Sequence, residues 1–318
     1  MKKQWQEIWT AVMLGVLIPG LILRTALLLM PPGELSFTEE TSPAPMGIHS
    51  ERISVHFGEE DVREMDLEEY LVGVLLGEMP ASFAGEAQKA QAVVARTYTL
   101  RTSQSGKHPG GGVCTSPACC QAYFSPEDSA EEETAIARQA VEETAGWVLT
   151  YQGELIDATY FSCSGGYTED AVAVWGADVP YLQAVPSPGE EYAAHYTDEA
   201  FFPRAELSKA LGTSLSGPPE DWVGQVTYTQ GGGVASIEIG GKVYTGTELR
   251  SILGLRSTAF SVTAEEDGLR IKTRGFGHRV GMSQYGADAM AREGKTWQEI
   301  LTYYYTGVTP AVLPSGDG

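Results

Sequence analysis

Residues 66–103 read DLEEYLVGVLLGEMPASFAGEAQKAQAVVARTYTLRTS, and this stretch decides the fold of the chain. Asp66 can cap a first helix, because a glutamate follows three residues later, as in a capping box. The apolar run 71–76 continues this helix, which Gly77 and the proline after it interrupt. A second helix fits 83–103, where small and apolar side chains recur at spacings of three and four. The stretch therefore predicts two helices joined at a break.

Glu78 lies at this predicted break, directly after the apolar run. A side chain at an interrupted helix can point into a cleft rather than onto a regular surface. If apolar neighbours exclude water from its carboxyl, its pKa rises and the group holds a proton near neutral pH. Such a group can act as a general acid toward a glycosidic oxygen. A solvated glutamate at a helix end is the structural alternative.

Two basic side chains, Lys89 and Arg96, lie seven positions apart on the second predicted helix and so share one face. The glutamines at 88 and 91 add polar groups between alanines, and small residues of this kind let another element approach closely. The pattern is compatible with a functional face next to Glu78. A solvated face opposite the core is the structural alternative, which the spacing by itself favours.

The N-terminal segment 9–30, WTAVMLGVLIPGLILRTALLLM, has about the length of one bilayer crossing. Two lysines precede it, so the positive-inside rule keeps a short tail, 1–8, in the cytoplasm and the remainder outside. We expect a single-pass anchor in the cell membrane, followed by a Pro- and Ser-containing linker at 31–50. A cleaved signal peptide is the alternative, although no small-residue cleavage site follows Met30.

The remaining chain predicts one extracytoplasmic domain of mixed helices and strands, at 51–310, with a flexible tail at 311–318. Short helices and strands alternate there without regular βαβ spacing, which favours an α+β fold with a substrate cleft. The expected strands lie at 52–56, 147–151, 154–161, 223–229, 234–239 and 269–274, and the expected further helices at 127–145, 198–212 and 295–305.

Composition excludes some functions. The formal net charge is −21 and the sequence pI is near 4.6, so no basic face is available to neutralise nucleic-acid phosphates. Hydrophobic residues make up 42% of the chain, which is enough for a packed core.

A loop with one histidine and three cysteines suggests a metal site. His108, Cys114 and Cys120 are spaced by six and six, and thiolates with an imidazole suit tetrahedral zinc. Cys119, Glu78 or a water molecule would complete the coordination. The alternatives are a Cys114–Cys120 disulfide and free thiols.

Three stretches, in the same order along the chain, closely resemble the stage II sporulation protein D family, and the similarity covers about residues 52–308. They are EMPASF at 78–83 with EAQKAQAVVARTY at 86–98, FSCSGGYTE at 161–169, and GFGHRVGMSQYGA at 275–287.

The resemblance implies a lytic transglycosylase that cuts peptidoglycan glycan strands whose stem peptides have been removed. It implies Glu78 as the catalytic carboxyl, with Lys89 and Arg96 in support. One carboxyl would protonate the leaving oxygen and then deprotonate the C6 hydroxyl of N-acetylmuramic acid, which closes a 1,6-anhydro ring. This chemistry needs no cofactor and no second carboxylate, unlike glycoside hydrolysis.

The resemblance also implies partners and leaves a rival function. Relatives act in engulfment during sporulation, in a membrane complex with stage II sporulation proteins P and M, and some carry zinc at the His/Cys/Cys pattern. Relatives with this domain are also enhancers of wall amidases, so a non-catalytic glycan-binding role is the alternative. A zinc amidase or peptidase is disfavoured, because the chain lacks an HExxH motif.

Further residues are candidates for binding the glycan. Glycine-rich loops let backbone approach a ligand, aromatic rings can stack on sugars, and polar side chains can bind hydroxyls. Core packing of the aromatics and a structural role for the histidine are the alternatives, and no nucleophile-elbow motif supports a serine enzyme. The candidates are Ser162, Ser164, Gly165, Tyr167, Tyr181, His278, Ser283, Gln284 and Tyr285.

Overall fold

The two helices expected within residues 66–103 are confirmed, at Leu67–Glu78 and Gly85–Ser103. They belong to a computed structural model that describes residues 51–313. Asp66 caps the first helix as predicted, because its carboxylate accepts hydrogen bonds from two backbone N–H groups of the first turn at 3.0 and 3.2 Å.

Residues 51–313 form eight α-helices. In chain order these are α1 (Leu67–Glu78), α2 (Gly85–Ser103), α3 (Glu131–Glu143), α4 (Ala171–Trp175), α5 (Arg204–Leu211), α6 (Gly246–Leu253), α7 (Gln284–Arg292) and α8 (Trp297–Tyr304).

The same residues form sixteen short strands. They are β1 (Arg52–His56), β2 (Val62–Asp66), β3 (Val113–Cys114), β4 (Trp147–Tyr151), β5 (Glu154–Leu155), β6 (Tyr160–Phe161), β7 (Gly166–Tyr167), β8 (Pro186–Ser187), β9 (Thr197–Pro203), β10 (Val223–Tyr228), β11 (Val234–Ile239), β12 (Lys242–Thr245), β13 (Phe260–Glu265), β14 (Gly268–Arg274), β15 (Met282–Ser283) and β16 (Thr309–Val312).

The strands make small sheets rather than one large sheet, in the orders β2-β1-β3, β16-β4-β5, β10-β11-β12 and β13-β14-β9, with the pairs β15-β6 and β7-β8. Helices and strands are interleaved along the chain without repeated βαβ units. The α+β class is therefore confirmed for the described residues.

The expected interruption at Gly77 is wrong, because α1 continues through this residue and ends one position later, at Glu78. The N–H of Met79 still closes the last turn on the carbonyl of Leu75, at 2.9 Å. Pro80 follows and has no N–H with which to extend the helix. Glu78 is thus the final residue of a helix, which leaves its side chain next to an irregular segment.

The helix α2 lies at the centre of the fold, because it contributes to two apolar cores. On one side its alanines and valines pack with α7, α8 and the strands β6 and β15. On the other side it packs with α1, α3 and β1. This arrangement fixes the end of α1 against strands and helices that come much later in the chain.

Residues 197–274 form an inserted subdomain with a third apolar core of its own. The predicted helix at 198–212 is partly wrong, because 197–203 is a strand and only α5 is helical. The strand β9 pairs with β14 over seven residues, and this long-range pairing overrides the local preference.

Two boundaries also differ from the prediction. The helix α3 begins at Glu131 rather than near 127, because Pro126–Asp128 form a 3₁₀ turn before it. At the C-terminus, β16 pairs with β4, so regular structure extends two residues beyond the expected domain end at 310.

Between residues 51 and 313 no helix has both the length and the apolar character required to cross a membrane. The predicted tail 1–8, anchor 9–30 and linker 31–50 lie outside the described residues.

Candidate active site at Glu78

The Glu78 carboxyl at the end of α1 is held by a backbone segment from much later in the sequence. The N–H of Ala122 donates a hydrogen bond of 2.6 Å to its Oε1 atom. The carbonyl of Glu78 in turn accepts a bond of 3.0 Å from the Gln284 side-chain amide. Both the carboxyl and the backbone of Glu78 are therefore positioned by other elements.

Two glycines on α1 allow the 121–124 segment to approach this closely. A Cβ atom at Gly77 would lie 2.8 Å from backbone atoms of Ala122, and one at Gly73 would lie 2.2 Å from the Tyr123 ring. The N–H of Phe124 also binds the carbonyl of Gly73 at 3.0 Å. The spacing Gly-x-x-x-Gly on one helix face is the sequence signal for this contact, which the predicted motifs did not include.

The partly buried Tyr160 is linked to α2 through Gln121, a residue of the 121–124 segment. The Tyr160 hydroxyl donates to Oε1 of Gln121 at 3.2 Å, and the Gln121 side-chain amide donates to the Thr99 hydroxyl at 2.8 Å. Burial raises the pKa of both Tyr160 and Glu78; the Tyr160 hydroxyl acts to lower the pKa of Glu78, and Glu78 acts to raise that of Tyr160. Sequence reasoning did not find Tyr160 or Gln121, because neither belongs to a recognisable motif.

Burial raises the pKa of Glu78 above its ordinary value. The hydrogen bond from Ala122 and the contacts with Tyr160 and Gln284 oppose this rise without cancelling it. The position favours the protonated form as well, because the C-terminal end of a helix carries partial negative charge. The carboxyl therefore holds its proton to higher pH than a solvated glutamate.

The predicted supporting residues do not contact Glu78. Lys89 forms ion pairs with Glu86 and Glu143, at 2.8 and 2.7 Å. Arg96 is completely buried and makes a two-pronged ion pair with Glu68, with contacts of 2.8 and 2.6 Å. It also donates to two main-chain carbonyls, those of residues 147 and 141. These contacts are structural, and a direct role of either side chain in catalysis stays a prediction.

Several predicted glycan-binding residues are buried and already hydrogen-bonded to protein. The N–H groups of Ser164 and Gly165 donate to the buried carboxylate of Glu190 at 2.6 and 3.2 Å. Ser283 caps α7, and the Tyr181 hydroxyl accepts a bond from a backbone N–H at 3.0 Å. In this structure these groups contact other protein groups rather than open space, which their sequence context did not reveal.

Of the other predicted glycan-binding residues, Gln284 is buried and the rest are partly or well exposed. Tyr167 is 39% exposed. The Ser162 carbonyl accepts the N–H of Tyr285, whose ring packs edge-on against Phe83. Gln284 reaches the Glu78 backbone, so it is the one residue of this predicted set shown above to contact the catalytic candidate.

His278 lies under the half-exposed ring of Trp175, with the ring centroids 5.4 Å apart. Its Nδ1 atom accepts the N–H of Val280 at 3.1 Å. Burial, with a smaller contribution from the charge of Arg250, lowers the pKa of His278 to about 4. The imidazole is therefore neutral at physiological pH and does not serve as a cation in the site.

The predicted metal ligands come together, and Cys119 joins them. The ligand atoms of His108, Cys114, Cys119 and Cys120 all lie within 4.8 Å of one another. The His108 ring nitrogen is 3.2 Å from the sulfur of Cys120 and 3.8 Å from that of Cys119. All four cysteines, which lie within the described residues, are free thiols, and the Glu78 carboxyl is not part of this group. One imidazole and three thiols fit the donor set of a closed structural zinc site.

The two cavities with described linings do not include Glu78. The larger, of about 280 Å³, lies between the start of α4 and the inserted subdomain, and the smaller, of about 160 Å³, lies beside it. Neither cavity is the predicted substrate cleft at Glu78, and that cleft stays a prediction.

The fold and the site define an α+β protein with a partly buried carboxyl at the end of α1 and a His/Cys cluster of four residues. A family model described as "Stage II sporulation protein" matches residues 57–151. The chain is 38% identical over 295 residues to Stage II sporulation protein D of Bacillus subtilis (strain 168), which covers 89% of this chain and 84% of that protein. It is 39% identical over 276 residues to the protein of the same name from Bacillus amyloliquefaciens, covering 83% and 78%.

The chain therefore belongs to the stage II sporulation protein D family, which confirms the resemblance seen in the sequence. It is also 31% identical over 293 residues to a Bacillus subtilis protein named "Amidase enhancer". That alignment covers 75% of this chain and 40% of the enhancer.

Proposed function

We propose that this protein is a lytic transglycosylase that cleaves peptide-free glycan strands of peptidoglycan during sporulation, with Glu78 as its acid and base. The observation that carries the proposal is the environment of the Glu78 carboxyl. This group is partly buried and hydrogen-bonded, and its burial raises its pKa. A general acid needs this environment in order to hold a proton near neutral pH.

The reaction requires one carboxyl. Glu78 gives its proton to the oxygen that leaves C1 of N-acetylmuramic acid, and the glycosidic bond breaks. The resulting carboxylate then removes the proton from the C6 hydroxyl of the same sugar, whose oxygen bonds to C1. The proton has moved from the C6 oxygen to the leaving oxygen, no water is consumed, and Glu78 returns to its starting state.

The proposed reaction differs from hydrolysis by two carboxylates because it needs one carboxyl only. The groups that act on the pKa of Glu78, besides burial, are the amide of Ala122, the hydroxyl of Tyr160 and the amide of Gln284, and none is a carboxylic acid. Retaining and inverting glycosidases need a second carboxylate on the other side of the scissile bond.

The test is product analysis. Full-length protein is incubated with glycan strands from which an amidase has removed the peptides, and the ends are identified by mass spectrometry. We expect 1,6-anhydro ends from the wild type and a decrease of about 10²–10⁴-fold with Glu78→Gln, the usual contribution of a general acid–base group. Reducing ends would indicate hydrolysis instead, and intact strands would rule out the proposed activity.

The second candidate is a glycan-binding enhancer of a wall amidase, and the similarity to the protein named "Amidase enhancer" favours it. In this case the strands stay intact, while addition of the protein accelerates an amidase acting on whole peptidoglycan. Glu78→Gln would retain that stimulation.

A structural zinc ion is part of the proposal. His108, Cys114, Cys119 and Cys120 would hold it, and four protein ligands leave no open position for a catalytic water. The ion would fix the loop that leads into the 121–124 segment. We expect about one zinc per chain by elemental analysis, lost in Cys119→Ser; wild-type protein with no metal would contradict this.

We also propose the cellular setting that the sequence suggests. The segment 9–30 would anchor the protein in the cell membrane, with the catalytic domain outside, in a complex with stage II sporulation proteins P and M. Protease protection in membrane vesicles and co-purification from sporulating cells test these two statements.

A further inference from the structure

An arginine without a carboxylate partner lies beside the loop that follows β14. The Nε atom of Arg250 on α6 donates to the carbonyl of Arg256 at 3.3 Å, and the same carbonyl accepts the N–H of Gly277 at 3.0 Å. Within residues 51–313 Arg250 forms no ion pair, although most other arginines there do. A guanidinium has five N–H donors, so this partly buried group keeps donors for a ligand.

The positive charge around this loop contrasts with the formal net charge of −21. The Arg256 guanidinium lies 5.6 Å from the centroid of the Phe276 ring, and Arg274 is exposed at the start of the loop. In the described part of the chain, Asp198 is the one acid that pairs with any of these three arginines, at 3.2 Å from Arg256. Burial lowers the pKa of Arg250 from its ordinary value, and no carboxylate opposes the shift, but an arginine stays charged.

Exposed aromatic rings lie next to this positive charge. Phe276 is 39% exposed, and Trp175 at the end of α4 is 46% exposed above the neutral ring of His278. Aromatic surfaces with a few placed polar groups are typical of ligand sites. An arginine next to two open rings therefore suits an anionic sugar better than a small inorganic anion.

The nearest cavity does not supply a carboxylate for Arg250. The first turn of α6 and part of α4 line the cavity of about 280 Å³, and Arg250 follows one helical turn later on the same face. Both acids that line this cavity have partners of their own. Glu169 pairs with Arg279 at 3.1 Å, and Asp170 accepts the N–H of Ala173 at 2.7 Å.

Two chain segments connect the surroundings of Arg250 to Glu78. A Cβ atom at Gly277 would lie 2.7 Å from the Cβ of Phe161, so the loop packs directly on β6. The strand β6 pairs with β15, and Gln284 after β15 binds the Glu78 carbonyl at 3.0 Å. Even fully extended, the chain from Gly277 to Gln284 spans at most about 25 Å. A polymer bound at Glu78 can therefore also contact Arg250.

We propose that Arg250 binds the free lactyl carboxylate of N-acetylmuramic acid and thereby selects peptide-free strands over strands that still carry peptides. The inference rests on the proposed function. When an amidase hydrolyses the bond between the lactyl group and the stem peptide, it leaves a carboxylate in place of a neutral amide. A guanidinium binds a carboxylate through two parallel N–H···O bonds, and an amide offers no such pair of charged acceptors.

The test compares two glycans that differ only at this carboxyl. Full-length protein with Glu78→Gln, which keeps the strands intact, is prepared in detergent micelles. Titration calorimetry measures its affinity for peptide-free strands and for the same strands after conversion of their carboxyls to methylamides. We expect the carboxylate form to bind about tenfold more tightly, as charge-assisted hydrogen bonds provide, and Arg250→Gln to remove this preference.

The matched control is Arg204→Gln, which removes the same charge elsewhere in the inserted subdomain. The Arg204 guanidinium lies 5.1 Å from the centroid of the Trp222 ring, and the preference should persist in this variant. Arg250→Lys keeps the charge but loses the planar fork, so it should reduce the preference without removing it. Circular dichroism checks the folding of each variant, and Arg250→Lys decides the question if Arg250→Gln does not fold.

An unchanged preference in a folded Arg250 variant would overturn the proposal, and so would equal affinity of the parent protein for the two glycans. The readout needs no cleavage. A preference that depends on Arg250, together with a wild type that gives no anhydro ends, would refute the proposed catalysis and leave the role of Arg250 in place. Anhydro ends without a preference would refute the role of Arg250 alone.

Discussion

Glu78 and Arg96 lie on the two adjacent helices α1 and α2, but they differ in burial and in the partners of their charged groups. Arg96 is completely buried, and its guanidinium is paired with Glu68 and with two carbonyls. Glu78 is partly buried, its carboxyl accepts the N–H of Ala122, and no cation of residues 51–313 forms an ion pair with it.

This difference in bonding partners distinguishes a charged group that holds the fold together from a group that can change its protonation state. A buried charge with a full set of partners is fixed in one state and holds elements together. A carboxyl without a counterion has no cation to stabilise its charged form, and burial then raises its pKa. On this pair of helices, Arg96 therefore stabilises the fold and Glu78 is the candidate for chemistry.

Breaking the Arg96 network should have the largest effect on the fold. Arg96→Met leaves Glu68 without its partner, and we expect the free energy of unfolding to fall by about 3–5 kcal/mol. The control is Arg101→Met on the same helix, where the pair with Asp157 is exposed and the loss should be about 1 kcal/mol or less. Urea unfolding followed by circular dichroism measures both, and equal losses would contradict the structural role of Arg96.

Gly77→Ala should disturb the Glu78 site with a smaller loss of stability. Its new Cβ would lie 2.8 Å from the Ala122 backbone and push away the N–H that binds Glu78, at a cost of about 1–3 kcal/mol. Gly85→Ala is the matched control at the start of α2, where a Cβ has no neighbour within 4 Å. It should leave stability unchanged or raise it by up to ~1 kcal/mol.

Both glycine variants are compared by unfolding and by production of anhydro ends. Activity should fall with Gly77→Ala and be retained with Gly85→Ala. A fully active Gly77→Ala protein would show that the Ala122 contact does not matter for Glu78.

Glu78→Gln should make the protein slightly more stable at neutral pH. The pKa of Glu78 in the folded state lies above its unfolded value of about 4.5, so folding favours the protonated form. Its contribution is therefore most favourable below pH 4.5 and is lost as the pH rises through the folded pKa. The neutral amide avoids this loss, and we expect the Tm at pH 8 to increase by roughly 1–3 °C.

The dependence on pH is the check on this small effect. Scanning calorimetry at pH 4 and pH 8 should show a larger difference between variant and wild type at pH 8. A difference that grows toward pH 4 would mean that the folded state stabilises the ionised carboxyl.

The helical pair could be predicted because its signals are local. Asp66 caps α1, Pro80 excludes continuation, and apolar residues recur at helical spacing through α2. Glu78 was a reasonable candidate for the same reason, since its position at the helix end follows from its neighbours in sequence.

The partners of Glu78 could not be predicted, because they come from distant positions. Ala122 is 44 residues from Glu78, and Gln284 is 206 residues away. Tyr160 and Gln121, which are 39 residues apart, are likewise joined by a hydrogen bond only in the packed structure. Ser164 was predicted to bind glycan, but its hydroxyl donates to the buried carboxylate of Glu190. A serine beside glycines can bind either a ligand or another protein group, and the local sequence does not distinguish the two.

The most direct test of the account is the titration of the Glu78 carboxyl itself. Full-length protein labelled with ¹³C at the glutamate carboxyl is followed by NMR over pH 3–9, and Glu78→Gln identifies the signal. The account predicts a midpoint above the ordinary value of 4.5. A midpoint at or below that value would show a carboxyl that is ionised at neutral pH and has no proton to give to a glycosidic oxygen.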